Sequence, residues 1–524
     1  MMSLITPNST ISLLNNVPLD SRYLDTFSWE NIGAQETYFS GHVKRSFTAQ
    51  TYARHERGTL RVQCKADDVY DCNYMMFRNT DFGAKWFYAF IENVEYINNS
   101  VAEIRFKIDP VQTWYFETSF APCFVERMHA ARDQIGDNIM PEPVDVGEYV
   151  YNDYDKLTAA YTIGVVLISI IDVNQQSGTA ATADVHSYEG VISGSTLWAY
   201  RADDIEGINA KVAEYIQKPD AIIGMYMAPP LILPGGMPDT GGYKVTDRSV
   251  GQTYDVAAGE ISTSTRLDGY LPKNKKLLTY PYNMYIADNA NGTDLVIRYE
   301  FCSGLKPRFI VYGNFTQPVE VVLRPVGYKG SGSGPLQTMA LSLKGYPMCS
   351  WNVDTFKAWV AQNSLPIAGS VAMGAAQAII GGVTGNPAAV AGGVGSIFNT
   401  AVNAVKEGYQ ASIKPDMGKG NFNTGGANYG HLFQCFYGGR ASVKAEVARM
   451  IDNFFDAYGY AQKKILTPVR TLRPYWTYIK TAGCVIRGSI PEDDRAALAA
   501  IHDNGIRYWK TSDIGNYTLD NSPG

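Results

Sequence analysis

Lys85-Trp-Phe-Tyr-Ala-Phe-Ile-Glu-Asn-Val-Glu-Tyr96 leads through Ile97-Asn-Asn-Ser100 into Val101-Ala-Glu-Ile-Arg-Phe-Lys-Ile108. In the second arm Ile104, Phe106 and Ile108 alternate with Glu103, Arg105 and Lys107. Strand side chains point to alternate faces, so a period of two predicts a half-buried β-hairpin. Asp109-Pro110 closes the hairpin, Trp114-Tyr-Phe116 continues its packed face, and Pro141-Glu-Pro143 marks a boundary. The N-terminal region therefore reads as β-rich.

Further along, Tyr161-Thr-Ile-Gly-Val-Val-Leu-Ile-Ser-Ile-Ile171 is a continuous apolar run of buried-strand type. Asp203-Asp204 then precedes a helix in which Ile205, Ile208, Val212 and Tyr215 share one face. A Gly/Pro-rich stretch over 229–242 closes this module, and strand-like sequence returns over 277–323. Near the C-terminus Val443, Val447, Met450, Phe454 and Tyr458 recur at helical spacing, with Gly459 placed to end the helix. A second helix opens at Pro491-Glu-Asp-Asp494, whose acids suit a helix N-terminus, and Gly505 stops it before Ile506-Arg-Tyr-Trp-Lys510. With strands around Cys484-Val-Ile-Arg487 this predicts a strand-helix-strand unit. No short-period repeat stands out, which disfavours a solenoid or propeller. The fold class expected is α+β and β-rich, with β-barrel or sheet domains flanked by helices.

Composition narrows the function. The 524 residues are only 18% charged and rich in Gly and Tyr, as in an assembly protein that buries surface between subunits. A net charge of -6 argues against a protein that wraps nucleic acid, which needs a basic face for phosphates, but suits a conduit along which DNA slides. The seven cysteines are scattered and never spaced as CxxC, so they read as reduced core or interface residues made in a cytoplasm. No basic stretch followed by an apolar run opens the chain, and export by a signal peptide is not expected.

Residues 358–405 contain no Asp, Glu, Lys, Arg or His. Two arms, each about the ~20 residues that span a bilayer as a helix, flank the breaker Thr384-Gly-Asn-Pro387. Their small residues, such as Ala368, Ala372 and Ala376 or Gly381 and Gly385, allow close helix approach in lipid. Glycine costs a helix in water about 1 kcal/mol relative to alanine, so the arms are marginal in water. A constitutive anchor would be richer in Leu and Phe and flanked by basic clusters. A conditional membrane inserter is therefore expected; a Gly/Ala linker and a buried helical hairpin are the competing readings. The insertion segment comprises Leu365, Ile367, Val371, Met373, Ile379, Ile380, Val383, Val390, Val394, Ile397, Phe398, Val402 and Val405, with Gly381, Gly382, Gly385 and Pro387 as its turn. A Gly/Asn spacer follows over 421–430.

Catalytic spacings are absent: the chain has no HExxH, Walker A, GxSxG or EF-hand pattern. The pairs Asp67-Asp68, Asp203-Asp204 and Asp493-Asp494 are read as caps or strand-face acids rather than acid/base pairs. His42, His55, Cys64 and Cys72 fit no usual zinc spacing. Gly330-Ser-Gly-Ser-Gly334 lacks the Lys and Ser/Thr of a phosphate loop and reads as a turn, and Lys273, Lys275 and Lys276 read as a solvated turn rather than a nucleic-acid contact. No enzyme activity, metal or cofactor is expected.

Three motifs carry a family resemblance: Tyr74-Met-Met-Phe-Arg-Asn-Thr-Asp-Phe-Gly-Ala-Lys-Trp-Phe-Tyr-Ala-Phe90, Ile108-Asp-Pro-Val-Gln-Thr-Trp114, and Asp503-Asn-Gly-Ile-Arg-Tyr-Trp-Lys-Thr-Ser-Asp-Ile-Gly-Asn-Tyr517. With Leu277-Leu-Thr-Tyr-Pro-Tyr282 they resemble the distal tail tube, or tail knob, proteins of small short-tailed bacteriophages of the picovirus group. The resemblance implies a homohexameric tube with a distal knob at the tail tip of the virion, made in the host bacterial cytoplasm. Its implied partners are other tail proteins, the host cytoplasmic membrane lipid, viral DNA passing through the lumen and a host surface receptor. It also implies that apolar loops plug the tube and later form a conduit for the genome. The parts expected are 1–154 (β-rich tube), 155–265 (knob module), 266–357 (β-rich tube), 358–430 (membrane-active loop and spacer) and 431–524 (C-terminal α+β tube). A wall- or capsule-degrading enzyme and a passive adhesin are the alternatives.

Overall fold

The computed structural model describes residues 8–50, 58–80, 83–158, 161, 163–171, 186–188, 191–193, 195–215, 221–246, 252–255, 265–289, 293–316, 319–329, 340–343, 348–350, 421–423 and 435–522. The chain divides into two compact units. The first gathers Met1–Gly147, Gly269–Leu278 and Ala445–Gly524; the second holds Glu148–Asp268 and Thr279–Lys444.

In the first unit the predicted hairpin forms: Phe87–Asn98 pairs antiparallel with Val101–Ile108, with Phe90 opposite Lys107 and Val94 opposite Ile104. Ala102, Ile104 and Phe106 are buried while Arg105 and Lys107 face water, as the alternation required. The hairpin belongs to a six-stranded sheet ordered Val43–Gln50, Ser9–Asn15, Cys72–Asn79, Phe87–Asn98, Val101–Ile108, Thr59–Val62. A five-stranded sheet runs Asp25–Phe27, Ile506–Trp509, Trp476–Ala482, Cys123–Met128, Tyr460–Leu466. Tyr74, Tyr88 and Phe90 from the first sheet share one core with Val125, Trp476, Ile479 and Trp509 from the second. Helix Ile32–Ser40 adds Phe39, and helix Glu492–Asn504 adds Leu498 and Ile501. Gly505 ends the latter helix with φ 97°, a conformation open to glycine and strained for other residues. Asp109 accepts from the Val111 and Gln112 N–H groups and from the Tyr74 hydroxyl, fixing the turn out of the hairpin.

Helix Ala445–Tyr458 corrects the sequence reading of its inner face. Ala448, Ile451 and Phe455 point inward with Asp452 and Asp456, whereas Met450 and Tyr458 are exposed and Val447 and Phe454 half-buried. Val443 belongs to strand Tyr437–Val443 instead. Two apolar stripes run along this helix, and periodicity alone does not say which one meets the core. The inner stripe admits two carboxylates because the segment Gly269–Leu278 supplies donors for Asp452, and the outer one is covered in part by Arg127 over Phe454 and Arg507 over Tyr458.

Two buried histidines in this unit are satisfied as neutral rings. His129 donates from Nε2 to the Asp456 carbonyl at 3.0 Å and accepts the Tyr478 N–H at Nδ1, 2.8 Å. His502 donates to the Leu498 carbonyl and accepts the Tyr508 hydroxyl, both at 2.7 Å. Burial pushes their pKa values down to about 3 and about 4. The stability of the neutral rings is complete above about 6.5 and is lost progressively as pH falls from there to the lowered values. Asp456 works the other way: burial raises its carboxyl to about 6, so the folded state takes up a proton there first as pH falls and offsets one histidine. Asp456→Asn removes that offset. Between pH 6 and 5 the variant is expected to lose about 1 kcal/mol more than the parent, read from urea midpoints at the two pH values; parallel losses would refute the linkage.

The second unit is built on sheets. Val165–Ile171 is buried at all positions but Ile171 and lies between Ser195–Arg201 and Ile222–Ala228 in a six-stranded sheet. Helix Ile205–Glu214 covers it with Ile208 and Val212, as predicted. Asp204 caps that helix through the Gly207 N–H at 3.0 Å and also accepts from the Gly241 N–H at 2.7 Å, tying the Gly/Pro-rich stretch down. A four-stranded sheet is ordered Tyr149–Lys156, Tyr437–Val443, Asn283–Asp288, Asp294–Ile297; another joins Gln252–Asp255, Arg308–Asn314, Glu320–Pro325 and Leu341–Leu343.

Candidate functional site

The expected insertion residues, Leu365 through Val405 with the turn Gly381, Gly382, Gly385 and Pro387, lie outside the described residues, as does Gly330-Ser-Gly-Ser-Gly334. What is described is the point where that segment leaves and rejoins the fold. Met348–Ser350 pairs antiparallel with Asn421–Asn423, with Met348 opposite Asn423, Cys349 opposite Phe422 and Ser350 opposite Asn421. Met348–Ser350 is in turn paired to Ile222–Ala228, so these two short strands complete the edge of the six-stranded sheet. The 70 residues from 351 to 420 therefore start and finish at neighbouring strand ends, about 4.8 Å apart in the hydrogen-bonding direction. Once the base is paired, length is cheap: doubling a loop adds about 0.6 kcal/mol of closure entropy. Part of the stretch read as a Gly/Asn spacer is thus strand, and three residues of each strand gave no period to detect it by.

A second feature tethers the larger excursion. Residues 279–444 leave the first unit after Leu278 and return at Ala445. Both flanks are held in that unit. Asp452, buried on helix Ala445–Tyr458, accepts from the N–H groups of Lys273 and Asn274, the Asn274 side-chain amide and the Tyr270 hydroxyl, at 2.7–3.0 Å. Asp133 accepts from the Lys275 N–H at 2.9 Å. The Glu142 carboxylate, fully buried, pairs with Lys276 and Arg127 and accepts the Ala461 N–H at 2.8 Å. The Lys276 ammonium also donates to the Met140 carbonyl at 2.8 Å, and its burial pulls its pKa below the usual lysine range.

The solvated turn expected at Lys273, Lys275 and Lys276 is corrected at Lys276: Lys273 is exposed and Lys275 half-buried, but Lys276 is a core residue. The Glu142 carboxylate and the Met140 carbonyl provide the partners a buried ammonium needs, while Asp452 and Asp133 hold the backbone of this 273–276 hook. Glu142, expected at a boundary, is one of its anchors.

The acidic pairs behave as structural groups. Asp203 binds Arg201 at 2.7 Å, whose guanidinium holds that carboxyl below its usual range, and Asp494 accepts the Trp114 indole N–H at 2.8 Å. Cys64, Cys72, Cys123, Cys302, Cys435 and Cys484 are free thiols. Among the described residues, no group of three or more His, Cys, Asp or Glu is placed to hold a metal ion, and no helix is long and apolar enough to cross a membrane.

The family model described as Bacillus phage phi29, tail knob protein gp9, C-terminal domain, matches residues 249–522, just over half of the chain. The chain belongs to the tail knob protein gp9 family. A second model, the N-terminus of the caudoviral major tail protein, matches residues 7–119 and thus the sheet built on the hairpin. Tail knob protein gp9 of Bacillus phage PZA is 25% identical, and that of Bacillus phage phi29 24%, each with 98% of both chains covered. Among solved structures, the bacteriophage C1 tail knob protein gp12 superposes with a TM-score of 0.63 at 13% identity, over 97% of this chain and 98% of that one, a likeness of fold. The β-rich α+β fold and the tail-knob resemblance read from sequence are both borne out. This tail knob protein is a structural component of a short-tailed phage virion, and its relatives bear the names of structural tail proteins.

Proposed function

We propose that the tail knob protein assembles as a homohexameric tube at the tail tip, plugged by six copies of the apolar segment, which leave the tube at the host cytoplasmic membrane and insert to make a conduit for DNA. Residues 1–154, 266–357 and 431–524 would form the tube and 155–265 the knob. The observation that carries this reading is the paired base at Met348–Ser350 and Asn421–Asn423: it presents 70 residues, 48 of them consecutively uncharged, as one excursion from a sheet edge. The segment leaves and returns at neighbouring residues, Ser350 and Asn421, a base that would suit two antiparallel helices packed roughly 8–10 Å apart. Sequestered in the tube, the arms would not aggregate virions. Released, each Å² of apolar surface moved into lipid contributes roughly 25 cal/mol, and no nucleotide hydrolysis is needed.

The test has two parts. Mass measurement of the purified protein should give six copies, and a stable monomer at micromolar concentration would oppose the tube. Dye-loaded phospholipid vesicles should leak when the assembled protein is triggered to expose residues 365–405; intact vesicles under those conditions would overturn insertion.

A further inference from the structure

One face of the four-stranded sheet in the second unit carries only a thin apolar layer of Met284, Ile286 and Ala441, with Tyr280 and Val296 packed against it. Its edge strand, Tyr149–Lys156, contributes three tyrosines to that face. The register shifts at Asn152, so that Tyr151 opposes Ala441 and Tyr154 opposes Gly439. This bulge resets the alternation and brings Tyr149, Tyr151 and Tyr154 out on one side. They are 36%, 54% and 46% exposed. Tyr154 lies parallel to Tyr437 (centroids 6.1 Å, 11°) and meets Tyr151 edge-on at 5.7 Å, and its hydroxyl donates to Asp288 at 2.9 Å. The facing strand offers Gly439 beside them, where a Cβ would stand 1.8 Å from the Asp153 carbonyl oxygen, so no side chain interrupts the row.

We propose that this tyrosine row is a binding platform for an uncharged polysaccharide. A tyrosine's apolar ring face matches a sugar ring's C–H face, and its polar tip lets the ring stand half-exposed in water between ligands. From Tyr149 to Tyr154 the row runs roughly 13 Å at the strand rise, with one residue taken up by the bulge, enough for a short run of sugar rings. Three half-exposed rings present on the order of 300 Å², well under the ~800 Å² per partner of a stable protein interface. Pairing with another protein strand is discouraged by the bulge and by the charged Asp153 and Asp155 along the edge. Charge selects among polymers: on and beside this face the carboxylates Asp288 and Asp294 balance the cations Lys156 and Arg298, and Arg440 is engaged by Asp153, so among the described residues phosphate-bearing chains and anionic lipid find no excess of positive charge.

The test uses the full-length protein, a hexamer of N-acetylglucosamine as probe and poly(glycerol phosphate) as the charged comparison. Saturable binding of the sugar by the parent is expected, weakened at least tenfold in Tyr149→Ala/Tyr151→Ala and kept in Tyr149→Phe/Tyr151→Phe, with oligomer mass and urea midpoint unchanged. Absence of sugar binding, equal binding by the alanine variant, loss in the phenylalanine variant or preference for the phosphate polymer would overturn the proposal. So would an alanine variant that dissociates into smaller oligomers, since the row would then be a subunit contact.

Discussion

Glu142→Ala is expected to lower the stability of the first unit by about 3–5 kcal/mol, the usual cost of leaving a buried charge without its partner. The carboxylate is fully buried and serves three donors at once, Lys276, Arg127 and the Ala461 N–H. Removing it strands two cations, one of them almost fully enclosed, and a backbone donor in a medium that cannot solvate them. Urea unfolding followed by tryptophan emission should show the loss, since Trp476 and Trp509 lie in the core of the same unit. Glu148→Ala provides the contrast: its pair with Lys444 is open to solvent, and the midpoint should not move. Equal midpoints for the two variants would mean that the hook is held by Asp452 and Asp133 alone.

The same hook shows where a sequence stops being informative. Alternation at Ile104, Phe106 and Ile108 announced a strand because the signal is local and repeats every second residue, and the run at 161–171 announced its own burial. Caps were legible for the same reason: Asp204 and Gly505 act on residues within one turn. Lys276 is different. Its partners, Glu142 and the Met140 carbonyl, lie more than a hundred residues away, and nothing in Lys273-Asn-Lys-Lys276 reveals that carboxylates wait there. Helix Ala445–Tyr458 has two apolar stripes, and the choice of inner face rests on donors from the distant segment Gly269–Leu278. The base strands at Met348–Ser350 and Asn421–Asn423 exist as strands through their pairing across 70 residues. Long-range pairing decided each case, whereas the uncharged character of residues 358–405 could be read directly.

Ile379→Asp/Ile380→Asp should abolish vesicle leakage while leaving the assembly intact. The two isoleucines end the first apolar arm just before Gly381-Gly382, so in an inserted hairpin they belong to the lipid-buried part of the segment. A carboxylate costs roughly 3 kcal/mol at a helix centre on insertion scales and less toward the end, and a total of about 3 kcal/mol for two beside the turn lowers the inserted population by roughly two orders of magnitude. An arm marginal in water adds little to the walls of a tube, so the oligomer mass and the urea midpoint should stay with the parent. Ile379→Leu/Ile380→Leu keeps the apolar surface and should keep the leakage. The three readings of this segment then separate. A buried helical hairpin in an ordinary core would lose stability with the aspartates, because two charges would enter the interior. A linker would lose neither stability nor leakage. Loss of leakage with an unchanged midpoint is expected only if residues 365–405 act in lipid, and unchanged leakage and DNA delivery would reduce them to a linker or a plug.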